Sequence, residues 1–160
     1  MKRKYWIISC GFLLISTGIY FLHRYHQPEL IHKQFNGVIY SNESNFVKES
    51  FIYIHGDLHK NLFGREVLIG ELLLDTDLKY DIKLNDSDIG YFGFIQLHNH
   101  NDKTIKTIGS VMLSPNMDKT WIQLHDLNNR YHLQDAYVSG PAKNMEEGND
   151  IARSFLEGEQ

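Results

Sequence analysis

The distribution of hydrophobic and polar residues divides the 160-residue chain into three main parts. Residues 5–22 contain no charged side chain, residues 35–137 alternate short apolar runs with polar turns, and residues 142–157 show helical periodicity. These three patterns predict an N-terminal transmembrane α-helix, a mainly β domain and a C-terminal amphipathic α-helix.

The uncharged segment 5–22 is long enough to cross a membrane. Its eighteen residues would extend about 27 Å as a helix, close to the roughly 30 Å hydrocarbon core of a bilayer. Tyr5, Trp6 and Tyr20 lie near its two ends, where amphipathic aromatic rings favour the membrane interface. We therefore predict that the chain contacts the lipid bilayer through residues 5–22.

Flanking charge predicts the orientation of this segment. Three of the first four residues are basic, and basic residues are retained on the cytoplasmic side of a membrane. We expect a single-pass protein of the cell membrane in which residues 1–4 are cytoplasmic and residues 5–22 form a signal-anchor. Residues 23–34 would then be a polar connector and residues 35–160 an extracytoplasmic domain.

Two other interpretations of the same segment remain open. A cleaved signal peptide would have an apolar core of roughly 7–15 residues, which is shorter than this one, and a cleavage site such as 16–18. A lipoprotein would use Cys10 within 8–11, but few apolar residues separate it from the N-terminal charges. Both interpretations are less favoured than a permanent anchor.

The middle of the chain has the pattern of a β protein. Eight runs rich in branched and aromatic residues are separated by Asn, Asp and Gly clusters at spacings of about a dozen residues. In "LKYDIKL" the apolar and charged residues alternate strictly, as in a strand with one buried face. The pattern predicts an antiparallel β-sandwich or small barrel. The eight runs are FNGVIYS, SFIYIHG, REVLIGELLLD, LKYDIKL, GYFGFIQL, TIKTIGSVMLS, TWIQL and RYHLQDAYVS.

The C-terminal segment predicts one helix over about 142–157. Pro141 precedes it, and Asn144 with Glu147 three residues later forms a capping-box pattern. Its apolar residues fall on one stripe that can pack on the sheet. The stripe consists of Met145, Ile151, Ala152, Phe155 and Leu156.

The stretches "GSVMLSPNMDKTWIQL" and "VSGPAKNMEEGNDIARSFL", with the N-terminal apolar segment and the β-rich middle, resemble uncharacterised small single-pass membrane proteins of Gram-positive bacilli. The resemblance implies the membrane topology. It implies no activity, catalytic residue, cofactor or ligand.

Charge and cysteine content narrow the possible partners. Residues 34–160 carry eleven basic and nineteen acidic side chains, a net charge of −8 that disfavours nucleic acid as a partner. Cys10 is the single cysteine, so the predicted external domain has neither a disulfide nor a thiol nucleophile. No phosphate-binding loop or nucleophile elbow occurs, and no cofactor is expected.

Histidine is the residue type most suggestive of chemistry. "HGDLH" places His55 and His59 four residues apart, and "HNH" places His98 and His100 two apart. Imidazoles with a nearby carboxylate suit zinc or copper. We expect "HGDLH" to form a turn and "HNH" a loop tip, which favours solvated side chains over ligands.

Three functions are compatible with these patterns. The first is a non-enzymatic binding module at the cell envelope, with edge strands that would contact a protein partner. A surface row of aromatic residues would bind carbohydrate or protein. The second is a small metal-dependent hydrolase, which requires the four candidate histidines to converge. The third is an accessory or regulatory subunit of a membrane complex, held by the anchor helix.

Overall fold

The computed structural model describes residues 13, 15–18, 20, 27–61, 63–99 and 104–157. The described residues before residue 27 are helical, and Ser16 Oγ and Thr17 Oγ1 both donate hydrogen bonds to the Leu13 carbonyl. Within the described residues, no helix combines the length and the apolar character that a membrane crossing requires. The predicted anchor over 5–22 lies largely outside this described part.

Eight antiparallel strands form a closed barrel in the described chain. Each strand pairs with the next along the sequence, and the last pairs with the first, which confirms the small barrel rather than the sandwich. The strands are β1 (Glu29–Ser41), β2 (Phe46–Lys60), β3 (Glu66–Leu74), β4 (Leu78–Ser87), β5 (Gly90–Asn99), β6 (Thr104–Leu113), β7 (Thr120–Leu124) and β8 (Tyr137–Gly140).

Alternating apolar residues of the strands fill the barrel interior. On β4, Tyr80, Ile82 and Leu84 are buried while Lys79 and Asp81 are exposed, as the alternation in "LKYDIKL" predicted. Residues of one face of a strand recur with period two, so every strand contributes one inward row. Fully buried members of the core include Ile39, Ile52, Ile54, Leu68, Leu72, Leu74, Leu113, Ile122 and Leu124.

The first strand begins earlier than the hydrophobic pattern predicted. Residues 29–34, predicted as part of the connector 23–34, pair with β2 and belong to β1. Inward-facing Ile31 is buried, but the outward-facing His32 and Gln34 are exposed and polar. Because this half of the strand exposes its outer face to water, its composition resembles that of a linker.

A short helix replaces part of the predicted last strand. The run RYHLQDAYVS was predicted as one strand, but β8 includes only its end. Its first two residues, Arg130 and Tyr131, end the helix α1 (His125–Tyr131), and residues 132–136 connect α1 to β8. Leu127 of α1 is fully buried in the core, and Asn128 binds the chain that follows. Its amide donates to the Gln134 carbonyl and accepts from the Ala136 N–H, both at 2.7 Å.

The predicted C-terminal helix is confirmed as α2 (Met145–Glu157). The Glu147 N–H donates to Asn144 Oδ1 at 2.9 Å, so Asn144 caps the helix. The Glu147 carboxylate reaches back to the Lys143 N–H at 2.8 Å, one residue before the position of a capping box. Its apolar stripe packs on the outer face of the barrel, where it buries Val38 and Tyr40 of β1. Both faces of β1 are buried from Gly37 to Ser41 because α2 covers its outer side.

Candidate functional site

A groove of about 420 Å³ opens between α2 and the outer face of the barrel. Strands β1, β7 and β8 form one wall, and α2 forms the other. We call this cavity the helix groove. It is lined by Tyr40, Asn42, Trp121, Gln123, Tyr137, Asn149, Ala152, Arg153 and Leu156.

Three aromatic rings from three neighbouring strands form the floor of the helix groove. The rings of Trp121 and Tyr137 are stacked, with centroids 5.5 Å apart and an interplanar angle of 19°. Tyr137 also contacts Tyr40 at a centroid distance of 5.8 Å. Tyr137 is the register partner of Tyr40 on β1 and of Gln123 on β7. Trp121 lies two residues before Gln123 on the same face of β7, so it is the diagonal neighbour of Tyr137.

Side-chain amides and one guanidinium line the rim. Asn149 Nδ2 donates to Asn42 Oδ1 at 2.9 Å, which links α2 to the end of β1. The Gln123 side chain is exposed on β7. Arg153 forms an ion pair with Asp150 at 2.9 Å, and both side chains remain 62% exposed. The rim therefore offers several hydrogen-bond donors and acceptors with little net charge.

The tyrosine hydroxyls of the floor stay protonated at neutral pH. Burial raises the pKa of Tyr40. Burial and the negative charge of Asp135 raise the pKa of Tyr137. The buried indole N–H of Trp121 has no hydrogen-bond acceptor of normal geometry among the described residues.

This arrangement suits the binding of a small ligand. Aromatic faces attract flat or ring-shaped ligands, and neighbouring amides fix their orientation through paired hydrogen bonds. The volume lies within the roughly 300–1,000 Å³ typical of small-ligand sites. Among the described residues that line the groove there is no carboxylate, histidine, serine or cysteine to act as a base or nucleophile.

The structure separates two of the four histidines considered as candidate metal ligands. His55 and His59 lie on the exposed outer face of β2, so the prediction that "HGDLH" forms a turn was wrong. Four residues of extended strand place them about 13 Å apart, too far to share one ion. The His98 side chain and His100 lie outside the described part. Within that part, no group of three or more His, Cys, Asp or Glu side chains is placed to hold a metal ion.

The strand register instead places His55 beside His32, which belongs to neither histidine motif of the sequence. His32 of β1 is the direct register partner of His55, and their Nδ1 atoms lie 3.4 Å apart. Twenty-three residues separate the two positions. No local spacing motif could have identified the pair, because the pair depends on the register between β1 and β2.

A second polar cluster joins α1 to the turn between β3 and β4. Asp75 accepts hydrogen bonds from Lys48 and from the Tyr131 hydroxyl, the latter at 2.7 Å. Burial opposes ionisation of Asp75, but these two hydrogen bonds outweigh it, so the pKa of the carboxyl lies below its ordinary value. Arg130 pairs with Asp77 in the same turn. Every charged group of this cluster has a partner within it, which favours a structural role.

No protein-family model, no curated protein and no solved structure matches this chain.

Proposed function

We propose that the chain is a non-enzymatic binding module of the cell envelope and that its ligand is a carbohydrate bound in the helix groove. The observation that carries the proposal is the stacked pair of Trp121 and Tyr137, flanked by the side-chain amides of Asn42, Gln123 and Asn149. Sugar rings present an apolar face for aromatic stacking and hydroxyls at their edges for amides.

In this proposal, residues 5–22 hold the module at the membrane and the barrel lies outside the cell. The support comes from the sequence alone: a long uncharged segment preceded by three basic residues. Protease treatment of intact cells that express the full chain tests this orientation. Digestion of the barrel is expected, whereas its complete protection would reverse the topology.

Binding of envelope polysaccharide tests the ligand. Full-length protein in mild detergent would be incubated with insoluble cell-wall polysaccharide, and the retained fraction measured with and without soluble oligosaccharide competitors. We expect saturable retention that the substitution Gln123→Ala weakens. Gln34→Ala is the matched control, because Gln34 is also an exposed glutamine on the outer face but lies on β1 beside Tyr53, away from the groove.

The protein partner predicted from the sequence is the competing outcome of this experiment. If Gln123→Ala leaves polysaccharide retention unchanged but abolishes crosslinking to an envelope protein, the groove binds a polypeptide and the carbohydrate proposal is wrong. The third function, a subunit held by its anchor helix, predicts instead that replacing residues 5–22 by an unrelated anchor removes the cellular phenotype.

A further inference from the structure

The two imidazoles of His32 and His55 lie side by side on the outer face of the barrel, remote from the residues that line the helix groove. Their rings meet edge to face, with centroids 5.6 Å apart and an interplanar angle of 69°. Both side chains are exposed, so an ion from solution reaches them without any opening of the fold.

The separation of the two nitrogens matches a shared metal ion. Zinc binds imidazole nitrogen at about 2.0–2.1 Å in a tetrahedron, whose edge between two such ligands is about 3.3–3.4 Å. The observed Nδ1–Nδ1 distance is 3.4 Å. A hydrogen bond between the same atoms would favour about 2.7–3.2 Å, so the distance suits a common ion better than a shared proton.

The neighbouring strand β3 places a negative charge beside the two histidines. Glu71 of β3 is the register partner of His55, and its carboxylate currently pairs with Lys79 at 2.8 Å. Both partners of that ion pair are about half exposed, at 47% and 59%, so the pair is weak and Glu71 is available to another cation. Asp81 of β4 is in turn the register partner of Glu71.

We propose that His32 and His55 form a two-imidazole binding site for a divalent transition-metal ion of the zinc and copper class. Water completes the coordination, and Glu71 supplies a nearby counter-charge. The bound ion links β1 to β2 in a part of β1 that, among the described residues, pairs with β2 alone, since the pairing of β1 with β8 there covers 38–40. Metal binding therefore clamps the first strand of the barrel next to the segment that leads from the N-terminus.

Titration with zinc alone, and separately with copper(II), tests the site. Full-length protein in mild detergent, freed of metal by chelation, would be titrated by calorimetry at pH 7.5, and thermal unfolding followed with and without the ion. We expect one ion per chain at this site, and the melting temperature should rise on its binding. His32→Gln and His55→Gln are each expected to weaken affinity by about tenfold or more.

The control is His59→Gln, since His59 is exposed on the same face of β2 but lies about 13 Å from His55. The His59→Gln variant should bind the metal ion with the same affinity as the unsubstituted protein.

The double substitution of His32 and His55 should weaken metal affinity little beyond either single substitution, because both imidazoles bind the same ion. Equal affinity in all variants, or no binding of either metal at millimolar concentration, would overturn the proposal. Unfolding in chelator verifies that each variant retains its fold.

Discussion

The Tyr40 hydroxyl donates a hydrogen bond to the backbone carbonyl of Gly148 at 3.1 Å and so joins the first strand to the last helix. Ser139 Oγ of β8 donates to the same carbonyl at 3.0 Å. Both hydroxyls are buried. A carbonyl inside α2 thus accepts two hydrogen bonds from the barrel wall, and this contact sets the position of α2 over the helix groove.

Gly148→Ala is expected to destabilise the protein although alanine is the better helix former. A Cβ at this position would lie 2.9 Å from Tyr40 Cε1 and 3.2 Å from its Cδ1, and Tyr40 is 1% exposed. Overpacking costs about 1–3 kcal/mol, while the helix gains about 1 kcal/mol, so a net loss of about 1 kcal/mol should appear in urea unfolding.

The same substitution in a Tyr40→Leu background supplies the control. Removing the planar ring should remove most of the penalty, because the ring carries the close contacts. A Gly148→Ala variant at least as stable as the parent protein would show that the ring moves aside at little cost.

Thr76→Gly is expected to stabilise the turn between β3 and β4. Asp75 and Thr76 both have positive φ, 50° and 71°, and the Asp77 N–H bonds back to the Leu74 carbonyl. A β-branched residue is strained in this conformation, and Asp-Gly is a preferred pair in such turns. We expect a gain of about 0.5–1 kcal/mol in the free energy of unfolding.

Thr76→Ala separates the two causes of that gain. Alanine lacks the branch but keeps the Cβ, so its stabilisation should be smaller than that of glycine. Chemical denaturation of the three proteins at one pH provides the measurement, and a destabilised glycine variant would contradict this account of the turn.

Local patterns of the sequence predicted the strands well because most of each strand obeys a period-two rule, but they left a sandwich and a small barrel both open. The alternation around Tyr80 and the turn at 75–77 are encoded within a few residues, and so is the capping of α2 by Asn144. The buried core and the number of strands follow from such local signals, since the inward row of each strand must be apolar.

The candidate sites could not be predicted in the same way, because they depend on register and closure. Trp121 and Tyr137 stack only because β7 pairs with β8, and His32 meets His55 only because β1 pairs with β2 in one register. Sequence spacing instead associated His55 with His59, which lies on the same strand but about 13 Å away. Strand pairing in a closed barrel brings candidate site residues together across strands, and such pairs form no motif in the linear sequence.

Trp121→Phe is expected to leave stability almost unchanged while weakening ligand binding in the helix groove. The buried indole N–H has no acceptor among the described residues, so its removal relieves an unsatisfied donor while the smaller ring retains much of the stacking on Tyr137. The free energy of unfolding should fall by less than about 1 kcal/mol, compared with the roughly 3–5 kcal/mol expected for truncation of Trp121 to alanine. A loss as large as that of Trp121→Ala would mean that the indole N–H has a partner in solution.

Asp75→Asn is expected to destabilise the protein at neutral pH and to lose this effect in acid. The folded pKa of Asp75 lies below its unfolded value, so its ionised form stabilises the fold above about pH 4, and this contribution disappears as the pH falls through the folded pKa. Lys48 is 40% exposed, so solvent screens the pair and we expect a loss of about 1 kcal/mol at pH 7. Urea unfolding of both proteins at pH 7 and pH 3 measures the difference, with the exposed Asp57→Asn as control. A penalty that stays the same at both pH values would show that Asp75 acts through the shape of its turn and not through its charge.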